Sequence, residues 1–222
     1  MRTGSCNDHE PIPPTMAGHT REDRNRKMSI NTNPSRGFRQ RWWVDGLYED
    51  ENGYYGFDGQ VDAETFGAAS AGVGRNHAPA LLCDLYYGGS LNLEAHPSVV
   101  ADAWSVAEHP ERGMEACLWV KLFRSAGYTH DGLPAAPPTQ PITVYRGCTP
   151  DGLKGMSWTS DLAVARTFAH GRLRGRALGR VYALDIAPDK LLAYIHETGR
   201  NESEYVIDMT LVLDGQVRLV EE

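Results

Sequence analysis

Three short groups of polar residues lie at the edges of apolar runs between residues 142 and 208 of this 222-residue chain. Together they supply one cation, a pair of hydroxyls and a pair of carboxylates. A guanidinium can hold an anionic ligand, and carboxylates can stabilise positive charge that develops on a reacting sugar. The three groups are Arg146-Gly147, Ser157-Trp158-Thr159 and Glu202-Ser203-Glu204.

Arg146 ends the apolar run that begins at Ile142. At the end of a strand its planar guanidinium could reach into a cleft and bind phosphate oxygens through charge-assisted hydrogen bonds. Gly147, directly after it, would let a ligand approach the backbone closely. A surface arginine that ends a strand, followed by a turn glycine, accounts for the same two residues.

Ser157 and Thr159 flank Trp158. Alternate side chains of a strand share a face, so both hydroxyls would point into a cleft while Trp158 faces the core. One of the hydroxyls could then hold the rotamer of a catalytic glutamate. A polar strand end followed by a helix cap is the alternative interpretation.

Glu202 and Glu204 are separated by one residue at the start of another apolar run. In a strand or at its edge, this spacing places both carboxylates on one face. Two like charges so close cost free energy unless a ligand or a reaction uses them. One could stabilise a cationic sugar, and the other could orient or deprotonate a nucleophile. A solvated strand edge with two charges is the alternative.

In this order the groups resemble the Arg-Ser-Glu class of mono-ADP-ribosyltransferases. That pattern has Arg on the first strand, Ser-x-Ser or Ser-x-Thr before a helix, and then Glu-x-Glu. The spacing to the following helix aligns Ser157, rather than Ser160, with the family serine, although Trp158 stands where the family has a small residue. The resemblance covers about residues 142–222, and the helical half before it resembles an accessory region of some bacterial and phage members.

The resemblance implies a helical N-terminal region followed by a domain of two packed, mainly antiparallel β-sheets with flanking helices. It implies NAD as substrate and no metal. Glu204 would be the catalytic residue on the nicotinamide ribose, and Glu202 would assist an arginine acceptor. Ser157 and Arg146 would complete the catalytic set. The implied NAD-binding residues are Arg146, Gly147, Ser157, Trp158, Thr159, Phe168 and Glu204.

Two loops acquire expected roles from the same resemblance. The loop from Tyr194 to Asn201 would recognise the acceptor before the glutamate pair. The basic loop from Gly171 to Gly179 would lie near the diphosphate or the target protein, and a solvated loop is its alternative interpretation.

The sequence divides into four regions. Residues 1–41 are proline-containing, locally basic and poor in apolar residues, which predicts a disordered tail that either is solvated or contacts an anionic partner. Residues 42–130 are an aromatic-rich and helical accessory region, and residues 131–141 are a Pro-rich linker. Residues 142–222 are the expected NAD-binding core.

Local patterns predict the elements of these regions. Turns and short strands are expected up to Gly74, and an α+β core follows the linker. Asp214-Gly215 indicates a hairpin joining strands 210–213 and 216–220. Neither a dinucleotide-binding glycine fingerprint nor a P-loop is present. The predicted helices span 78–87, from Pro97 onward and 115–126, and a further helix, capped by Ser160 or Asp161, runs through Phe168. The remaining predicted strands span 142–146, 180–186, 190–195 and 204–208.

Composition narrows the function class further. The formal net charge of -7 argues against nucleic-acid binding driven by overall charge, and a nucleic-acid target is less expected than a protein. No apolar run is long enough to span a bilayer, and no signal peptide is recognisable. The four cysteines and eight histidines lack metal-ligand spacing. We therefore expect a cytoplasmic protein, or one in a host-cell cytoplasm if it is phage-encoded or delivered, with reduced thiols.

The leading hypothesis from the sequence is a mono-ADP-ribosyltransferase acting on protein arginine. An NAD glycohydrolase would use the same bond cleavage with water as the acceptor. A non-catalytic NAD-binding module is a third possibility from a different class, against which the intact glutamate pair argues.

Overall fold

The computed structural model describes residues 44–170, 179–196, 202–212 and 214–221, so the predicted tail at 1–41 lies outside the described residues. The fold is α+β, as predicted. The described helices are α1 (Ala63–Val73), α2 (Ala78–Tyr87), α3 (Ser98–Val106), α4 (Pro110–Gly113), α5 (Ala116–Ala126) and α6 (Leu162–Ala169). None of them combines the length and hydropathy that a bilayer span needs.

The described strands form a two-stranded hairpin and a mainly antiparallel eight-stranded sheet. The hairpin is β1 (Leu47–Glu49) with β2 (Tyr55–Phe57). The sheet contains β3 (Thr129–His130), β4 (Leu133–Pro134), β5 (Ile142–Cys148), β6 (Ser157–Thr159), β7 (Arg180–Ile186), β8 (Leu191–Ile195), β9 (Glu204–Ile207) and β10 (Arg218–Glu221). Its order is β10-β7-β5-β6-β9-β8-β3-β4.

Capping residues set the ends of three of these helices. Asp62 caps α1 by accepting a hydrogen bond from the Thr65 N–H, and Asp161 caps α6 in the same way. Gly127 follows α5 with φ of 77°, a left-handed conformation that glycine adopts at little cost. Helix α1 lies where turns and short strands were predicted, and burial of Phe66 and Ala69 on one face stabilises it despite its glycines.

The sheet narrows to a single residue pair at its centre. β5 pairs with β7 over seven residues, but with β6 only at Tyr145 and Thr159. Beyond that pair the two strands diverge around the loop 149–156. The eight strands therefore make one hydrogen-bonded ladder with a narrow waist between β5 and β6, rather than the two separate packed sheets expected.

Hydrophobic clusters cover both faces of the sheet. The larger one joins buried residues of α1, α2, α3 and α5 to sheet residues such as Ala193, Ile195 and Val206. The second lies across the sheet and contains Val144, Trp158, Tyr182 and Leu184. The helical region and the sheet thus share one core, and the expected boundary at 131–141 begins inside the sheet, because β4 belongs to it.

The expected hairpin at Asp214-Gly215 is wrong. β10 pairs antiparallel with β7 instead, and Met209–Leu211 forms a 3-10 turn in place of the first hairpin strand. The buried Asp208 carboxylate explains the turn, because it accepts hydrogen bonds from both the backbone N–H and the hydroxyl of Thr210.

Candidate functional site

The sheet places the strands of the three polar groups side by side, in the order β5-β6-β9. Thr159 at the end of β6 is the register partner of Tyr145 on one side and of Glu204 on the other. Adjacent strands are about 4.8 Å apart, so β5 and β9 are separated by roughly 10 Å. Residues far apart in the chain are thereby carried by three adjacent strands. In this register Tyr145, rather than its neighbour Arg146, shares a face with Thr159 and Glu204.

Arg146 lies inside the diverging β5–β6 hairpin. Its Nε donates to the Gly152 carbonyl at 2.9 Å, and its Nη1 donates to the Ser157 carbonyl. Its Nη2 lies 4.0 Å from the Glu111 carboxylate, and its side chain is 17% exposed. The guanidinium thus bonds to one backbone carbonyl in the loop and to one at the start of β6. It braces the hairpin, and a diphosphate would have to compete with these contacts.

Two residues that the motifs did not include complete this arrangement. A Cβ on Gly155 would lie 2.0 Å from Arg146 Nη2, so the guanidinium rests directly on this glycine. Glu111 in α4 accepts a hydrogen bond from the Met156 N–H while facing Arg146. Gly155 precedes Ser157 by two positions, so the sequence could have indicated it. Glu111 carried no local signal, because only the tertiary fold brings α4 to this loop.

Gly147 has a packing explanation. A Cβ there would lie 1.8 Å from the Ala165 carbonyl oxygen and 2.5 Å from the Ala169 nitrogen. Its φ is outside the left-handed region, so conformational freedom is not the reason for glycine. The close approach occurs between β5 and α6, and it accounts for the glycine without any contact to nicotinamide.

The two hydroxyl-bearing residues of β6 lie in different environments. Ser157 is half-buried, whereas Thr159 is buried and its Oγ1 donates to the Glu202 carbonyl at 2.6 Å. Thr159 Oγ1 also accepts a hydrogen bond from the Asp161 N–H. Trp158 is 1% exposed in the second core, with its indole donating to the Gly155 carbonyl. Its predicted core orientation is confirmed, and the same burial leaves almost none of the ring exposed to a ligand.

Glu204 is the first residue of β9 and is half-buried. Its Oε1 accepts a hydrogen bond of 2.9 Å from the indole nitrogen of Trp104, a buried residue of α3. The carboxylate therefore lies on the helical side of the sheet. Trp104 is a third contributor that the motifs missed, because it lies in α3, outside all three motif groups.

The two glutamates are not aligned by strand geometry. Glu202 and Ser203 precede β9, and Ser203 has a φ of 45°, a left-handed conformation that a non-glycine residue rarely adopts. This turn interrupts the alternation from which a shared face was expected. The spacing of Glu202 and Glu204 therefore does not place their carboxylates on one face. A left-handed residue typically costs about 1–2 kcal/mol, and such strain is concentrated at functional sites.

Hydrogen bonds hold this turn. The Ser203 hydroxyl lies 3.2 Å from His196 Nδ1, and the Ser203 carbonyl accepts from the Ser160 N–H. The backbone N–H of His196 donates to the Asp131 carboxylate. Asp131 itself has a φ of 50°. Of the expected acceptor loop, Tyr194 and Ile195 belong to β8 and His196 follows that strand. Residues 197–201 lie outside the described residues.

Phe168 and Cys148 lie on elements next to the motif residues, in α6 and β5. Phe168, an expected NAD contact, is 41% exposed on α6. Burial raises the pKa of the Cys148 thiol, and the neighbouring Arg146 charge only partly opposes this effect. Cys148 is therefore a neutral thiol near pH 7 and a poor nucleophile.

Other features lie away from the motif residues. One cavity of about 460 Å³ is lined by Tyr128, Tyr194, Tyr205 and the Pro-rich segment, and another of about 360 Å³ lies beside Tyr86. Neither is lined by Arg146, Ser157 or Glu204. No cluster of three potential metal ligands occurs among the described residues. Apart from Gly179, the basic loop at 171–179 lies outside them.

Comparison with profiles of known protein families, with curated proteins and with solved structures finds no match.

Proposed function

We propose that this chain is an NAD-dependent mono-ADP-ribosyltransferase whose acceptor is an arginine side chain of a protein. The observation that carries the proposal is the register at the sheet waist, where Thr159 lies opposite both Tyr145 and Glu204. It lies within a strand order that sets the strands of Arg146, Thr159 and Glu204 side by side, although their segments are remote in the chain. If these residues had no common role, their strands would not need to be neighbours in the sheet.

The chemistry suits the charges present. Cleavage of NAD breaks the bond between the ribose anomeric carbon and the nicotinamide nitrogen, and nicotinamide leaves as a neutral molecule with the bonding electron pair. Positive charge develops on the ribose, as in glycoside hydrolysis. The Glu204 carboxylate stabilises this charge, and its fixed position lowers the reorganisation that the reaction requires. No general acid is needed for the leaving group.

The acceptor nitrogen then forms a bond to the same carbon and loses a proton. Glu202, adjacent in sequence, is the residue proposed to orient the guanidinium and accept that proton. Arg146 has a supporting role in this scheme, because its contacts to Gly152 and Ser157 keep the β5–β6 hairpin open.

A second candidate, an NAD glycohydrolase, is favoured by one observation. The left-handed Ser203 interrupts the strand between Glu202 and Glu204, so strand geometry does not aim both carboxylates at one point. Water would then replace arginine as the acceptor, with the same cleavage step.

The test is incubation of the full chain with NAD labelled in its adenylate part, with and without a cell lysate. Nicotinamide release measures cleavage, and mass spectrometry of labelled proteins measures transfer. We expect Glu204→Gln to reduce both by at least about 100-fold, because it removes the charge while keeping the shape. Glu64→Gln is the matched control, since it makes the same change at an exposed position in the first turn of α1.

The outcomes separate the candidates. Labelled arginine in lysate proteins supports the transferase. Nicotinamide release that greatly exceeds transfer in every lysate supports the glycohydrolase. NAD binding by calorimetry with no cleavage would leave only a binding module, and equal activity of Glu204→Gln and the wild type would refute the assignment of Glu204.

A further inference from the structure

The helical region carries no motif, yet one of its side chains contacts the central residue of the site. Trp104 Nε1 lies 2.9 Å from Glu204 Oε1, although the residues are 100 positions apart in the chain. We propose that Trp104 is a positioning residue that fixes the Glu204 carboxylate for reaction. The catalytic part of this inference rests on the proposed function.

Trp104 is held rigidly. It is 2% exposed, and its ring packs edge-on against Trp119 at 5.0 Å and against Phe123 at 5.7 Å. Those two rings are buried and belong to α5. A side chain so enclosed has little rotamer freedom left, so its N–H points in one direction and fixes the oxygen that it contacts.

The chemistry of an indole suits this role. Its N–H is a donor only and is not titrated near neutral pH, so it can orient a carboxylate without neutralising it. A hydrogen bond to the ionised form favours that form, which is the one that stabilises a cationic sugar. A lysine at this place would form an ion pair and reduce the negative charge offered to the substrate.

The contact is also selective among the indoles of the described residues. Trp119 donates to the Pro110 carbonyl at 3.0 Å, and Trp158 donates to the Gly155 carbonyl at 2.9 Å. Both satisfy backbone groups, as buried indoles usually do. Trp104 alone of these three donates to a carboxylate, and that carboxylate belongs to one of the three motif groups.

The first experiment requires no activity. The full chain is labelled with ¹⁵N-tryptophan, and its indole resonances are followed by NMR between about pH 3 and pH 8, a range that brackets an ordinary glutamate pKa of about 4.3. We expect the Trp104 resonance, assigned with Trp104→Phe, to shift as a carboxyl titrates and to lose that response in Glu204→Gln. A resonance that titrates in the wild type but not in Glu204→Gln makes the same point if Trp104→Phe does not fold.

The second experiment measures NAD turnover. Trp104→Phe keeps the ring packing and removes the donor, so we expect kcat to fall about 10- to 100-fold with little change in KM for NAD. The acid limb of its pH–rate profile should move to higher pH. Trp119→Phe is the matched control, because it shrinks a ring of the same cluster and removes an equally buried indole N–H that donates to a carbonyl. It reports the effect of altered packing alone, so it should keep the wild-type pH profile and lose less kcat than Trp104→Phe.

The outcomes are distinguishable. If the pH response of every indole resonance is the same in Glu204→Gln as in the wild type, the proposed contact is overturned. Wild-type kcat and pH profile in Trp104→Phe, with active wild type, would overturn the positioning role and leave the proposed function standing. If the wild type cleaves no NAD while the Trp104 resonance still follows Glu204, the proposed function fails and the catalytic role with it, and only the contact remains.

Discussion

Replacement of Gly147 by alanine tests the contact on which the position of α6 depends. An added Cβ would lie 1.8 Å from the Ala165 carbonyl oxygen, which is about 1.6 Å inside an ordinary van der Waals contact. Both of the closest atoms, on Ala165 and Ala169, are backbone atoms of the helix. They cannot swing away as a side chain can, so the whole helix must move from β5.

The expected cost is at the upper end of that for overpacked sites, about 3 kcal/mol. For a chain of this size such a loss lowers Tm by about 6–12 °C. Because α6 follows directly after Thr159 and Asp161, its displacement should also disturb the end of β6 and reduce NAD cleavage.

Urea unfolding followed by circular dichroism, together with a thermal melt, measures the loss. Gly67→Ala is the control, since a Cβ there meets no atom within 4 Å in the interior of α1. It should raise stability by about 0.5–1 kcal/mol. If Gly147→Ala melts like the wild type but no longer cleaves NAD, close approach of the substrate, rather than helix packing, explains the glycine and our argument is refuted.

Two further predictions concern a buried hydroxyl and a half-buried carboxyl. Thr159→Val keeps the shape but leaves the Glu202 carbonyl and the Asp161 N–H without their hydroxyl partner, so we expect a loss of about 1–3 kcal/mol in urea unfolding; unchanged stability would show that these bonds contribute nothing. Burial raises the pKa of Asp84 to about 6, although the Tyr55 N–H bonds to it. Because this pKa lies above the ordinary 3.8, the stabilising contribution of Asp84 is complete below pH 3.8 and is lost as the pH rises through about 6. Asp84→Asn, which can still accept from Tyr55, should remove that part of the decline in unfolding free energy between pH 4 and 7, and an identical decline in both proteins would contradict the assignment.

Local patterns in the sequence predicted most helices and the strands of the core. The helix at 78–87 and the strand at 180–186 lie where periodicity placed them. Of the two predicted caps of α6, Ser160 and Asp161, the structure uses Asp161. These features depend on contacts within a few residues, which a sequence displays directly. Where a local signal competed with distant partners it failed, as at Asp214-Gly215, because β10 finds its hydrogen-bond partner in β7.

The amino-acid sequence by itself determined which groups are present for chemistry: a guanidinium at 146, hydroxyls at 157 and 159, and carboxylates at 202 and 204. Only the tertiary structure decided how they are used. It engaged Arg146 with backbone carbonyls, turned the chain at Ser203, and brought Trp104 to Glu204 across 100 residues. The physical reason is that hydrogen bonds and close packing act through space, so their partners are set by the sheet order and the shared core rather than by spacing along the chain.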